Sequence, residues 1–228
     1  MSNTLSDVVV VIPALNEEAS LPRVLADLPE VRTVIVVDNG STDRTVEVAE
    51  FGGAEVISEP RRGYGSACLA GIRRAADLEC QILVILDADY SDHPEDLLLL
   101  VEPIAQNRAD MVLGDRTRLA EPGALLTHQK FGNHLATFLI HRITGHRYRD
   151  MGPFRAIRMS SLLAMEMEDL NYGWNVEMQM KAAYAGLRIE EIAVRYRARI
   201  GVSKISSTVR GSVKAGAKII YSTWRYAQ

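Results

Sequence analysis

Two carboxylates one residue apart, in Asp87-Ala88-Asp89, follow directly on the apolar run at residues 82–86. That run reads as a buried strand, so the pair stands at a strand end, where a ligand can approach. Hard oxygen donors suit Mg²⁺ or Mn²⁺. A site that offers only one or two carboxylates leaves the remaining coordination to water and substrate phosphates. The chemistry therefore points to a nucleotide ligand. The competing reading is a strand that ends in turn-forming aspartates, and the rest of the chain must choose between the two.

The elements around the pair form a repeating pattern. Residues 8–12 and 33–37 are short β-branched runs, each followed by polar residues and a stretch of helical period. The spacing predicts a first helix over residues 17–28 with Asn16 as its N-cap. A second follows Gly40-Ser41-Thr42-Asp43, capped by Ser41 or Thr42. A strand at residues 54–57 leads through Arg61-Arg62-Gly63-Tyr64-Gly65-Ser66 into a helix that runs to Ala76. The next strand starts at Gln81 and carries the carboxylate pair at its end. Pro94 then opens another helix with Asp92 as cap, and residues 111–113 form a strand ending at Gly114-Asp115-Arg116. This β-α alternation predicts an α/β fold with an open parallel sheet. Right-handed crossovers would bring the strand ends to one edge, where Asp38, Asp87, Asp89 and Arg116 converge.

Beyond residue 118 the alternation stops. Residues 123–144 read as a helix, 152–158 as a turn entering a strand, 174–185 as a helix and 189–195 as a strand. With no linker or internal repeat, residues 1–228 read as one domain. Residues 1–117 read as its nucleotide half, 118–205 as its acceptor-side half and 206–228 as a C-terminal helix. Val209, Val213, Ala217, Ile220 and Trp224 share one face of that helix, flanked by Arg210, Lys214, Lys218 and Arg225. Such a basic amphipathic helix either lies on a membrane surface or packs its stripe on the domain.

Composition narrows the classes. The 228 residues are 47% apolar, ample for a core, and the net charge of −3 with no basic run argues against nucleic-acid binding. Cys68 and Cys80 stand alone and read as reduced thiols, which excludes a zinc or disulfide framework. No segment reaches the roughly 20 apolar residues of a membrane span, and none has the form of a signal peptide. The expected location is the cytoplasm, with peripheral contact at the inner face of the membrane through residues 206–228.

Four blocks in order carry a resemblance. They are Val11-Ile12-Pro13-Ala14-Leu15-Asn16-Glu17-Glu18, Val36-Val37-Asp38-Asn39-Gly40-Ser41-Thr42-Asp43, Leu86-Asp87-Ala88-Asp89 and Gly114-Asp115-Arg116. In order and spacing they resemble the inverting family 2 glycosyltransferases, which have the GT-A fold: a Rossmann-like, mostly parallel central sheet flanked by helices, with a C-terminal acceptor side. Asp150-Met151-Gly152-Pro153-Phe154-Arg155 and Gly201-Val202-Ser203-Lys204 look most like the branch of dolichyl-phosphate mannosyltransferases and bacterial polyprenyl-phosphate glycosyltransferases. The resemblance implies transfer of a sugar from a GDP- or UDP-linked donor to a polyprenyl phosphate, with Mg²⁺ or Mn²⁺.

It also implies roles residue by residue. Pro13, Leu15 and Glu17 match the first nucleotide-contacting loop, and Asp38 the carboxylate that reads the base edge. A carboxylate can accept a ring N–H of guanine or uracil. Asn39 replaces the family's second aspartate and can still hold the turn. Gly63 belongs to the glycine loop near the nucleotide, and Asp87, Ala88 and Asp89 form the metal motif, with Asp87 and Asp89 as ligands. Ser91 stands where some relatives place a glutamine. Arg116 and Lys204 would screen the phosphates during catalysis, and Arg155, Arg199 and Lys204 would bind phosphate or acceptor. Arg197 and Arg199 are not distinguished by sequence. Glu177 is either a general base toward a hydroxyl acceptor or a helix carboxylate in a capping or acceptor-orienting role; an ionised phosphate acceptor needs no base. Two other classes stay open, a sugar-nucleotide nucleotidyltransferase and a non-catalytic sugar-nucleotide-binding module.

Overall fold

The computed structural model describes residues 5–201 together with Arg225 and Tyr226. A seven-stranded sheet lies at its centre, made of β1 (Val8–Ala14), β2 (Thr33–Asp38), β3 (Glu55–Ser58), β4 (Ile82–Ile85), β5 (Met111–Ala120), β6 (Arg155–Arg158) and β7 (Ile189–Tyr196). The strand order is β3-β2-β1-β4-β6-β5-β7. Every pairing is parallel except the two made by β6, which runs antiparallel to both β4 and β5. The sheet is thus mostly parallel, as the resemblance implies, with β6 as its antiparallel member. Because β6 reverses direction twice over, β5 still points the same way as β4, and the ends of β1, β2, β4 and β5 share one edge.

Alternate residues feed two cores, as the period of a strand requires. Val9, Val11, Ile35, Val37, Leu83 and Ile85 face one side. Val8, Val10, Ile12, Val36, Ile82 and Val84 face the other. Each such side chain contributes on the order of 1.5–3 kcal/mol by leaving water. On the first side α3 (Tyr64–Asp77) buries mainly small residues, Gly65, Ser66, Ala67, Ala70, Gly71 and Ala75 among them. The reason is proximity: a Cβ on Gly71 would lie 2.3 Å from Val11 Cγ1. α7 (Trp174–Tyr184) adds Trp174, Met178 and Met180 to the same core. The opposite side is covered by α1 (Leu21–Asp27) and α4 (Leu97–Ala105). α2 (Thr45–Phe51), α5 (Thr127–Thr144) and α6 (Met159–Ala164) complete the helices of the described residues.

Pro13 lies in a central strand that has partners on both sides. It is tolerated because β1 pairs with β4 only as far as Val11, so the missing N–H faces no ladder partner.

Two predicted starts are corrected. The first helix begins at Leu21, not residue 17, because Asn16 adopts a left-handed φ of 54° and its side chain serves another loop. Asp92 does not cap a helix at Pro94. A short 3₁₀ turn, Pro94–Asp96, follows His93, while residues 89–92 are tied instead to the chain after β7.

Candidate active site

The sheet edge opens into a cavity of about 410 Å³ lined by Pro13, Ala14, Leu15, Glu17, Asn39, Arg62, Gly63, Tyr64, Ala67, Asp87, Ala88, Asp89, Asn171, Tyr172 and Arg199. The carboxyl ends of β1, β2 and β4 supply its floor, and the turn into α3 one wall. A second groove of about 490 Å³ between α1 and α2, lined by residues such as Pro22, Leu25 and Phe51, contains none of these groups.

Two loops at the cavity are stitched together. Thr42 N–H donates to Asn16 Oδ1 at 2.7 Å, and Asn16 N–H donates to Ser41 Oγ at 2.9 Å. Glu18 N–H donates to Asp43, and Arg44 N–H returns a bond to Glu18. Asp38 caps its own turn, accepting from the N–H groups of Gly40 and Ser41. It stands beside the cavity without lining it. Asn39 does line it and holds the next turn: its amide donates to the carbonyls of Glu59 and Arg61, while its oxygen accepts from Gly63 N–H.

Asp87 and Asp89 both face the cavity. Burial, and after it the charge of Asp89, push the Asp87 carboxyl up to about 7. Tyr64 donates its hydroxyl to Asp87 Oδ1 at 3.1 Å. Arg199 reaches Asp89 Oδ2 at 3.1 Å and Glu17 Oε1 at 3.6 Å. One guanidinium thus offsets two carboxylates. Like charges that repel, relieved by a cation, are the setting a divalent ion fits. Among the described residues no cluster of three metal-ligating side chains occurs. Asp87 and Asp89 would hold such an ion with the rest of its shell taken from phosphate and water.

The other predicted cations separate. Arg197 stacks on the Tyr90 ring with its guanidinium carbon 3.4 Å from the centroid and bonds the carbonyls of Tyr90 and Asp92, so it is a structural clasp. Arg199, two residues on, is the one that enters the cavity. Arg116 does not line it. Its Nε and Nη2 grip the Asp150 carboxylate at 2.7 and 2.8 Å, and its carbon lies 4.9 Å from the centre of the Tyr196 ring. Burial would raise the Asp150 carboxyl, but Arg116 holds it below its ordinary value. Arg155, expected at phosphate or acceptor, is fully buried, is bonded to the carbonyls of Pro153 and Gly152, and does not line the cavity. Lys204 lies outside the described residues, as does the 206–228 helix apart from Arg225 and Tyr226.

Glu177, read as either a base or a capping or orienting carboxylate, lies outside the cavity lining. It is fully buried, its two oxygens accept from Glu168 N–H at 2.8 Å and Asp169 N–H at 2.7 Å, and Lys181 Nζ lies 2.8 Å from Oε1. A carboxylate so engaged orders the chain before α7.

Sequence reasoning passed over Arg62, Tyr64, Asn171 and Tyr172. The glycine turn held a signal for the first two, since a residue flanking a close backbone approach borders whatever that approach serves. Asp92 was read only as a cap. Both its carboxylate oxygens are buried without a hydrogen-bond partner among the described residues, and burial, then Asp87, push its pKa well up.

Comparison with known proteins decides the family. The profile of the family described as Glycosyl transferase family 2 matches residues 9–164. This chain belongs to glycosyl transferase family 2. It is 39% identical over 216 residues to an uncharacterized glycosyltransferase of Mycobacterium bovis, covering 91% of this chain and 94% of that one. It is 32% identical over 223 residues to the undecaprenyl-phosphate mannosyltransferase of Micrococcus luteus, covering 90% and 89%. To the dolichyl-phosphate hexose transferase of Haloferax volcanii it is 31% identical over 217 residues, covering 92% and 91%. The crystal structure of glucosyl-3-phosphoglycerate synthase from Mycobacterium tuberculosis with Mn²⁺, UDP and glucosyl-3-phosphoglycerate superposes with a TM-score of 0.76. That match has 22% identity over 96% of this chain and 79% of that one. The fold is therefore GT-A, and the protein is a glycosyltransferase. Among its described residues, no helix of this family 2 enzyme is long and apolar enough to cross a membrane.

Proposed function

We propose that this glycosyltransferase moves a hexose from a GDP- or UDP-linked donor to a polyprenyl phosphate, with inversion at C1. The observation that carries the acceptor reading is the state of Glu177. With both oxygens bonded to backbone N–H groups and Lys181 beside it, it is not free to take a proton from a hydroxyl acceptor. An ionised phosphate needs no such help. The kinship to transferases named for undecaprenyl phosphate and dolichyl phosphate supports the same reading.

In this mechanism Pro13, Leu15 and Glu17 border the nucleoside, and Asp38 reads its base from the adjoining turn. Asp87 and Asp89 would hold Mg²⁺ or Mn²⁺, which would supply positive charge to offset that of the departing diphosphate. Arg199 moves its charge from the carboxylates to the phosphates. The resemblance gives Lys204 as a further cation toward phosphate, and the charge of Arg116 reaches Asp87 through its field. An acceptor phosphate oxygen forms the new bond to C1. The bond from C1 to the diphosphate oxygen breaks, and its electron pair leaves with the nucleoside diphosphate. No proton is transferred. Residues 206–228 would bring the enzyme to the inner face of the membrane.

The test uses donor, Mn²⁺ and liposomes containing a short-chain polyprenyl phosphate. Release of nucleoside diphosphate together with a lipid-linked sugar, abolished by chelator, is the expected result. Pyrophosphate turnover would mean a nucleotidyltransferase, and binding without any turnover a sugar-nucleotide-binding module. Glycosylation of a soluble alcohol, with the lipid phosphate ignored, would overturn the acceptor.

A further inference from the structure

The chain between α6 and α7, residues 165–173, has no secondary structure of its own beyond turns, yet it is fixed at both ends and in the middle. Glu177 receives the N–H groups of Glu168 and Asp169, as described above. Asp169, itself buried, receives those of Asn171 at 2.7 Å and Gly173 at 3.2 Å. Lys181 donates to Glu166 O at 2.7 Å. Buried carboxylates that accept backbone N–H groups form charge-assisted bonds, roughly twice as strong as neutral ones. Side chains thus hold the loop's backbone at residues 166, 168, 169, 171 and 173.

Its far side presses on the glycine turn. Ser66 N–H donates to Leu170 O at 3.0 Å. A Cβ on Gly63 would lie 2.1 Å from Leu170 O, and one on Gly65 would lie 1.9 Å from Asp169 O. The two glycines are therefore required by this loop, whose backbone occupies the space a side chain would need. Gly63 also adopts a φ of 142° that other residues avoid. The docked loop places Asn171 and Tyr172 on the cavity wall, both exposed.

The remaining lining residues suit other parts of a donor. Those at the ends of β1 and β2 border the nucleoside, and Asp87, Asp89 and Arg199 face the diphosphate. Asn171 and Tyr172 contribute an amide and an aromatic face. An amide offers both donor and acceptor to ring hydroxyls, and a flat ring suits the apolar face of a pyranose.

We propose that Glu177 is a positioning residue that braces the 165–173 loop against the glycine turn, so that Asn171 and Tyr172 form the wall that selects the donor sugar. This rests on the donor reading given under Proposed function and adds which residues read the hexose. A site built to hydrogen-bond a substrate hydroxyl rejects the epimer that misplaces it, because its polar groups are left unpaired.

The experiment measures kcat/KM for pairs of epimeric donors, UDP-glucose against UDP-galactose and GDP-mannose against GDP-glucose. Binding of free UDP and GDP is followed by calorimetry, and thermal midpoints check folding. Tyr172→Ala and Asn171→Ala should each narrow the preferred-to-disfavoured ratio at least fivefold, with nucleoside diphosphate affinity unchanged within twofold. Glu177→Gln should narrow it too. Adding Tyr172→Ala to Glu177→Gln should cost less than the sum of the two, since both act through one wall. A Glu177→Gln enzyme that loses kcat while keeping its ratio would make Glu177 a base and overturn the proposal. Variants that weaken free UDP and GDP as much as the sugars would make the wall a nucleoside contact and also overturn it. If the wild type discriminates and all variants discriminate equally, only the loop assignment fails. If the wild type neither turns over nor binds any nucleotide sugar, the donor reading fails with it.

Discussion

Arg199 with Asp89 and Arg116 with Asp150 are the same chemical pair in two settings. Arg116 and Asp150 meet through two parallel hydrogen bonds, with Asp150 almost wholly enclosed and an aromatic ring against the guanidinium. Arg199 meets Asp89 at the cavity wall through one close contact, and shares itself with Glu17. A bidentate, enclosed pair serves the architecture, and breaking it strands a charge in a medium that cannot solvate it. A single contact at an open wall can be exchanged for another partner. The geometry of the pair, more than the residue types, separates a fixed clamp from a contact that a ligand could replace.

The sharpest way to break this comparison is Asp89→Ala. Turnover should fall by about a thousandfold or more, on the order of 4 kcal/mol in transition-state stabilisation. The thermal midpoint should stay close to wild type, because the side chain serves the cavity and not the core. A variant with full activity would remove Asp89 from the site. Next in size is Asp150→Ala, which should lower stability by about 3–5 kcal/mol, because Arg116 is left buried and unpaired. Denaturant unfolding measures it, and a loss under 1 kcal/mol would place the pair among weak surface contacts. Arg199→Gln should slow saturated turnover about 10- to 100-fold with little change in unfolding. A stability loss as large as that of Asp150→Ala would erase the distinction.

The smallest effect is expected at a third pair, formed by the residues just before β5 and β7. Arg188 forks onto Asp110 and holds its carboxyl down to about 2. A carboxyl depressed in the folded state contributes stability that is complete above the unfolded value of about 4 and is lost as pH falls toward 2. Arg188 is half exposed, so solvent screening keeps the contribution small. Urea midpoints between pH 5 and 2 should therefore fall less steeply in Asp110→Asn than in the wild type. Parallel slopes would deny the pair its role.

The first half of the chain could be read from sequence because its signals are local. β-Branched runs alternating with helical stretches are governed by neighbouring residues, and the strand ends at Asp38 and Asp87 followed directly. Asn39 was correctly read as a residue that holds a turn. The left-handed Asn16 was not, since its partners Ser41 and Thr42 lie 25 and 26 residues away. β6 carries no period in its four residues, so its antiparallel insertion between β4 and β5 left no trace in sequence. The roles of Arg116, Arg155 and Glu177 depended on partners as distant as Asp150 or as featureless as the peptide N–H of residue 168. A motif can place a charged side chain near a site, but only the packing shows whether another group has already claimed it.

The crossed bonds between the first two loops bear on motion. Asn16 and Glu18 on one side, and residues 41–44 on the other, each hold the other's backbone. Neither loop can swing outward without releasing both, so the rim on which a nucleoside would rest opens as one cooperative unit. The backbone amides of Asn16, Glu18, Thr42 and Arg44 should then exchange with deuterium at a common rate. A ligand that seats against either loop would slow all four together.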